Sequence, residues 1–169
     1  MKKRIFLLGV LSLFMLNQCA TQKQFKAMWR SPYNIEIETL GVGRDGSKLV
    51  KAWANAKKPA QAVMQAEKNA VAAAIFKGLP AGNGAAATPA ICRDPNCLEK
   101  NEAFFEDFFQ TGGKYLQFVT RTNDGMPGGK DRIKMKKGYK VGLKASIAFD
   151  NLREYLEEMG IVKRMDQGF

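Results

Sequence analysis

Histidine is absent from this chain of 169 residues, and serine and cysteine are scarce. The lack of histidine removes the commonest general base, the commonest metal ligand and every Ser-His or Cys-His pair. None of the serines begins a Ser-x-x-Lys motif, and the carboxylates follow no recognisable catalytic spacing. We therefore expect no enzyme, no cofactor and no metal site. A carboxylate-dependent hydrolase without a motif is the catalytic alternative.

Long apolar runs are also missing, apart from one at the start of the chain. Three basic residues precede twelve largely apolar residues, Ile5–Leu16, a run too short to span a bilayer as a stable helix. Cys19 follows this run almost at once. The layout predicts a lipoprotein signal peptide over residues 1–18 and acyl chains such as palmitate on Cys19. Asn17 and Gln18 are larger than the residues usual before such a cysteine, so an ordinary signal peptide is the alternative.

The residues after Cys19 indicate a compartment. By analogy with other lipoproteins, Ala20-Thr21-Gln22 lacks the aspartate of inner-membrane retention and the acidic stretch of surface export. This implies an outer-membrane lipoprotein that faces the periplasm, with a tether over residues 19–32 and a single domain over 33–169. Loss of residues 1–18 leaves 24 basic and 16 acidic residues, a net charge of about +8. Nucleic acid is not expected as a partner, because the chain is predicted to be exported.

Only two cysteines remain beyond Cys19. Cys92 and Cys97 are five positions apart in an exported chain, and this predicts a small structural disulfide loop. A metal or redox pair is the alternative, but two thiols without histidine make a poor metal site, and the spacing is not Cys-x-x-Cys.

Hydrophobic periodicity predicts an α+β fold. Period-two alternation favours strands, Asp45-Gly46 is a hairpin-turn signal, and Gly78 and Gly160 are placed to end helices. The predicted elements are strands over 35–39 and 48–54, a helix from Pro59 to Lys77, a short helix over 101–111, a strand over 114–122, a hairpin over 130–149 and a helix capped by Asp150. Their order favours a mostly antiparallel sheet of about five strands, packed by two longer helices and one short helix.

Four phenylalanines form one stripe on the short helix. Phe104, Phe105, Phe108 and Phe109 recur at helical spacing, which predicts a core contact. An exposed apolar patch that binds a partner or lipid is the alternative.

The hairpin over 130–149 carries the best candidate site. A three-residue turn at Lys136-Lys137-Gly138 pairs Ile133 with Val141 and Met135 with Tyr139, so that apolar and basic side chains sort onto opposite faces. The predicted basic face comprises Lys130, Arg132, Lys134, Lys140 and Lys144. Like charges on facing strands repel, so this face is the candidate site for an anionic lipid, a glycan or an acidic protein face. A solvated face that blocks edge pairing is the structural interpretation, and the sequence alone favours it.

Three segments together resemble a known group of proteins. They are Gln65–Val71, the strand Tyr139–Phe149 and the closing stretch from Leu152 to Phe169. The pattern resembles uncharacterised envelope lipoproteins of the Bacteroidetes type. It is more distantly similar to small outer-membrane lipoproteins and to the N-terminal domain of flagellar T-ring proteins. The resemblance implies a compact α+β module that assembles in the envelope and brings no known catalytic residues.

These observations lead to one functional prediction with one main alternative. The first is an outer-membrane-anchored periplasmic lipoprotein that serves as a non-catalytic binding or assembly module, with the membrane and an envelope protein complex as partners. The alternative is a periplasmic binder of anionic lipid or glycan that uses the basic face.

Overall fold

The computed structural model describes residues 34–123 and 125–164, all of which belong to one compact unit, Pro32–Phe169. The described residues form an antiparallel five-stranded sheet and four α-helices, which confirms the predicted α+β class. The strands are β1 (Ile37–Val42), β2 (Lys48–Ala56), β3 (Val119–Arg121), β4 (Arg132–Met135) and β5 (Gly138–Ile147). The helices are α1 (Pro59–Ala72), α2 (Cys97–Lys100), α3 (Glu102–Phe108) and α4 (Phe149–Glu158).

Strand β5 organises the sheet. It pairs with β2 along one side, while β3 and β4 lie end to end along its other side. Strand β1 pairs with β2 and forms the far edge. That edge is covered by the segment after α1, since Lys77 Nζ donates to Ile35 O at 2.6 Å and Asn83 Nδ2 donates to Thr39 O at 2.8 Å. These bonds satisfy backbone carbonyls that would otherwise be open to another strand.

Helix α1 packs on one face of β2 and β5. Pro59 stands in its first turn, where the missing N–H costs no hydrogen bond. Ala62 and Ala66 are fully buried against Ala54 and Val141 of the sheet. Small side chains on both surfaces let the helix approach the sheet closely. The helix continues as one π-helical turn, Ala73–Lys77.

Gly78 ends this helix as predicted. It adopts φ 83°, and a side chain there would meet Thr88 O at 2.7 Å. The chain then folds back on the helix, and the N–H groups of Ile91 and Cys92 bind the carbonyls of Ala74 and Ile75. Carbonyls at a helix end have no partner within the helix, so this segment stabilises the end of α1.

The phenylalanine stripe lies in the core, which confirms the prediction. Phe105, Phe108 and Phe109 are at most 2% exposed, and Phe104 is half-buried. The ring of Phe105 meets that of Phe76 edge-on at 4.9 Å, which joins α3 to the π-helical turn after α1. Aromatic pairs in this geometry add to the stabilisation from buried area.

The predicted strand over 114–122 is wrong for most of its length. Lys114–Phe118 is a 3₁₀ helix, and only Val119–Arg121 is a strand. Tyr115 and Phe118 are both buried three positions apart, a spacing that fits the three-residue turn of a 3₁₀ helix and not the alternation of a strand. The strand β3 lies outside β5, at the edge of the sheet.

Helix α4 differs from the prediction only at its start. Ala148 is the residue that precedes the helix, and Asp150 lies inside the first turn without a capping hydrogen bond. A negative charge in the first turn still interacts favourably with the helix dipole. Gly160, with φ 70°, follows the helix end as predicted.

Candidate functional site

The structure contradicts the predicted register of the β4–β5 hairpin. The sequence pattern placed Ile133 opposite Val141, whereas the structure places Arg132 opposite Val141 and Lys134 opposite Tyr139. The turn therefore has two residues instead of three. Because side chains alternate along a strand, this shift of one residue moves every β4 side chain to the other face of the sheet.

The predicted register is wrong because no residue of β4 is buried. All four of its residues are exposed, so no free energy of burial sorts apolar from basic side chains. The backbone decides instead. Gly138 has φ 118° and lies so close to Ala56 O that a Cβ atom would collide with it. This contact holds Gly138 as the first residue of β5, opposite Met135.

The five predicted basic residues consequently do not form one face. Lys140 and Lys144 are opposite Asn55 and Lys51 of β2, on the sheet face away from α1, here called the open face. Arg132 and Lys134 share the other face with Val141 and Tyr139, and Lys130 lies in the short 3₁₀ helix before β4. The predicted basic face is therefore wrong as a single surface.

What exists instead is a hairpin at the edge of the sheet that is charged on both sides. We call residues 129–140 the cationic hairpin. It contains six basic residues and one acidic residue, namely Lys130, Arg132, Lys134, Lys136, Lys137, Lys140 and Asp131. Lys140 Nζ contacts Glu36 Oε2 at 2.7 Å, and Asp131 Oδ1 contacts Lys51 Nζ at 2.5 Å. Within the part of the chain that the structure describes, the other five cations of the hairpin form no ion pair.

Two exposed apolar side chains accompany these cations. Ile133 is 47% exposed and Met135 is 42% exposed. They lie opposite Lys140 and Gly138, and therefore on the open-face side of the hairpin. The hairpin thus combines positive charge with an apolar strip of two residues.

The base of the hairpin is attached to the open face through Trp53, a residue that sequence analysis did not single out. Lys51 Nζ and Lys140 Nζ lie 4.5 and 4.9 Å from the centre of the Trp53 ring. Trp53 Nε1 donates a hydrogen bond to Glu38 Oε1 at 3.2 Å. Cation–π contacts of this kind add to the two ion pairs. The base of the hairpin therefore has a fixed position on the sheet.

Gly142 of β5 makes room for this arrangement. Its ideal Cβ would lie 2.9 Å from Cη2 of Trp53 and 2.8 Å from Cε of Lys51. The missing side chain lets the indole ring lie directly on the β5 backbone. Glu36, just before β1, and Glu38, on β1, alternate with apolar residues, and this alternation was the sequence signal for the cluster.

A second charged cluster lies on the helix side of the sheet. The carboxylate of Glu67 on α1 is buried and contacts Arg121 Nε at 2.5 Å. The pKa of Tyr115 is raised by burial and by the Glu67 charge, and Arg121 opposes this rise. Burial lowers the pKa of Lys68, whose Nζ lies 5.6 Å from the Tyr115 ring. This cluster joins α1 to the segment over 115–121, and we interpret its role as structural.

The remaining predicted site residues are the cysteines. Cys92 and Cys97 form a disulfide whose Cα atoms are 6.2 Å apart, and both side chains are buried. Cys19, the predicted lipidation site, lies outside the described residues. The described residues contain no cluster of three or more metal-binding side chains. None of the described helices has the length and apolar character needed to cross a membrane.

Comparison with known proteins gives no further guidance. No protein-family model, curated protein or solved structure matches this chain.

Proposed function

We propose that this protein is a non-catalytic binding module of the bacterial envelope, anchored at the outer membrane through Cys19, that binds an anionic partner with its cationic hairpin. The exported, lipidated form is the expectation drawn from the N-terminal sequence. The binding role is supported by one observation: five exposed cations without an ion-pair partner among the described residues lie on one short hairpin at the edge of the sheet.

This concentration of charge is unfavourable for the isolated protein. Lys136 and Lys137 are adjacent in the turn, and Lys134 is two positions away on β4. Like charges this close repel one another and destabilise the hairpin. An anionic surface reverses the sign of this interaction, and each cation near such a surface contributes about 1 kcal/mol of binding free energy.

The attachment of the hairpin supports the same role. The ion pairs of Lys51 with Asp131 and of Lys140 with Glu36 hold the two ends of the hairpin on the sheet, since Asp131 directly precedes β4 and Lys140 lies on β5. A surface that is already ordered loses less conformational entropy when it binds. The two ion pairs therefore increase the affinity for the partner by ordering the hairpin, although they do not contact the partner themselves.

The test neutralises the tip of the hairpin. Full-length protein in phosphatidylcholine nanodiscs is mixed with vesicles that contain phosphatidylglycerol, and separately with soluble polyglutamate. Replacement of Lys134, Lys136 and Lys137 by glutamine should remove about 3 kcal/mol of binding free energy. The affinity for the anionic partner should therefore fall about a hundredfold. Binding of the unmodified chain also weakens as salt is added, because the charges are exposed.

A matched control removes the same number of exposed charges elsewhere. Arg44, Arg93 and Lys163 are exposed and distant from the hairpin in the sequence. Their replacement by glutamine should leave most of the affinity intact. Equal losses from the two triple variants would contradict a specific role for the hairpin, since net charge alone would then explain binding.

A further inference from the structure

The cationic hairpin also carries apolar side chains that an electrostatic site does not need. We propose that its partner is a lipid bilayer with anionic headgroups, into which Ile133 and Met135 insert. This inference rests on the proposed function and names the chemical class of its partner. It adds a hydrophobic contribution to the electrostatic one.

The placement of the two apolar residues fits insertion. Ile133 and Met135 are two positions apart on an exposed strand, so both point to the same side of the hairpin. Both are more than two-fifths exposed. The two-residue turn, Lys136-Lys137, follows Met135 directly. Long lysine side chains keep their ammonium groups at headgroup level while nearby apolar groups lie deeper.

The alternative occupants fit less well. A polyanionic glycan or a purely acidic protein face offers no apolar phase for Ile133 and Met135. A second copy of this chain would bring two hairpins together, each with five cations that are unpaired among the described residues. Their repulsion opposes such a dimer. A bilayer with anionic headgroups offers an apolar phase for Ile133 and Met135 and anionic groups for Lys136 and Lys137, the turn lysines that follow Met135.

The experiment separates insertion from charge. Full-length protein with Ile133→Ser and Met135→Ser is compared with unmodified protein for binding to the phosphatidylglycerol vesicles and to polyglutamate. Loss of two partly buried apolar contacts should weaken vesicle binding about thirtyfold and leave polyglutamate binding unchanged. The control is Val42→Ser with Met159→Ser, since Val42 and Met159 are 51% and 48% exposed outside the hairpin.

A second measurement reports depth directly and does not depend on the serine variants. The emission of an environment-sensitive fluorophore on Met135→Cys should shift to the blue when the phosphatidylglycerol vesicles are added and be quenched by spin-labelled lipid in those vesicles, whereas the same label on Val42→Cys should show neither change.

The outcomes distinguish the two proposals. Suppose that the triple glutamine variant loses binding, the double serine variant does not, and the label on Met135→Cys stays in water. The hairpin then binds anions, and insertion is refuted. If neither variant loses binding, both proposals are refuted. Equal loss of vesicle and polyglutamate binding by the serine variant, with no spectral shift at Met135→Cys, would also overturn insertion.

Discussion

Removal of the two partners of the Glu67–Arg121 ion pair should have unequal effects on stability. The side chain of Glu67 is 7% exposed, whereas that of Arg121 is 41% exposed. Replacement of Arg121 by methionine leaves a carboxylate buried without its cation. Replacement of Glu67 by glutamine leaves a guanidinium that already contacts water. We therefore expect Arg121→Met to be less stable than Glu67→Gln.

The magnitudes follow from these exposures. Removal of one partner from a fully buried pair costs about 3–5 kcal/mol. Water already screens the arginine end here, so we expect about 2–3 kcal/mol for Arg121→Met. Glu67→Gln keeps an oxygen that accepts from Arg121, and we expect about 1 kcal/mol. The double variant leaves no charge without its partner. Its loss of unfolding free energy should therefore be close to that of Glu67→Gln alone and well below the sum of the two single losses.

Equilibrium unfolding in urea, followed by tryptophan fluorescence, measures these differences. Lys100→Met is the matched control, because the ion pair of Lys100 with Asp94 is similarly short at 2.6 Å but is exposed at both ends. It should leave the unfolding midpoint unchanged. Equal costs for Arg121→Met and Glu67→Gln, or strict additivity in the double variant, would refute the view that burial of Glu67 determines the asymmetry.

Two further predictions concern the aromatic core and the response to alkaline pH. Phe105→Ala should cost about 3–5 kcal/mol, because the ring is fully buried against Phe76, and Phe104→Ala should cost less, because that ring is only half-buried; urea midpoints that agree within error would contradict this. Tyr115→Phe should remove a loss of stability above pH 10.0, the ordinary pKa of tyrosine. Burial raises the pKa of folded Tyr115, so the unfolded chain releases its proton first, and stability falls as pH rises from that value through the folded pKa. Lys68 changes the stability with pH in the opposite direction. Because it is present in both proteins, its contribution cancels when their unfolding free energies at about pH 8 and about pH 11 are compared. Parallel pH profiles for the two proteins would contradict this assignment.

The elements under strong burial were predictable. Pro59 marks the start of α1 and Gly78 marks the end of the π-helical turn that continues it, and both are local signals. The phenylalanine stripe fixes α3 in the same way. The 3₁₀ helix Lys114–Phe118 was not predictable, because its apolar residues fit two periods and packing against α1, α3 and α4 selects the 3₁₀ turn.

The candidate site was predictable in its composition and not in its geometry. The lysine-rich segment before Gly138 is plain in the sequence, as is the disulfide spacing. The pairing of Lys51 with Asp131 joins residues that are eighty positions apart. The packing of the Trp53 ring on Gly142 likewise depends on the pairing of β2 with β5. No local pattern contains that information.

The sequence by itself determined the α+β class, the helix ends and the presence of a dense positive charge, because propensity, turn chemistry and charge act locally. Tertiary structure decided the register of the hairpin, and with it which side carries Ile133 and Met135. The physical reason is that β4 buries no side chain, so its alignment follows from the contact of Gly138 with the backbone of Ala56 and not from its own hydrophobic pattern.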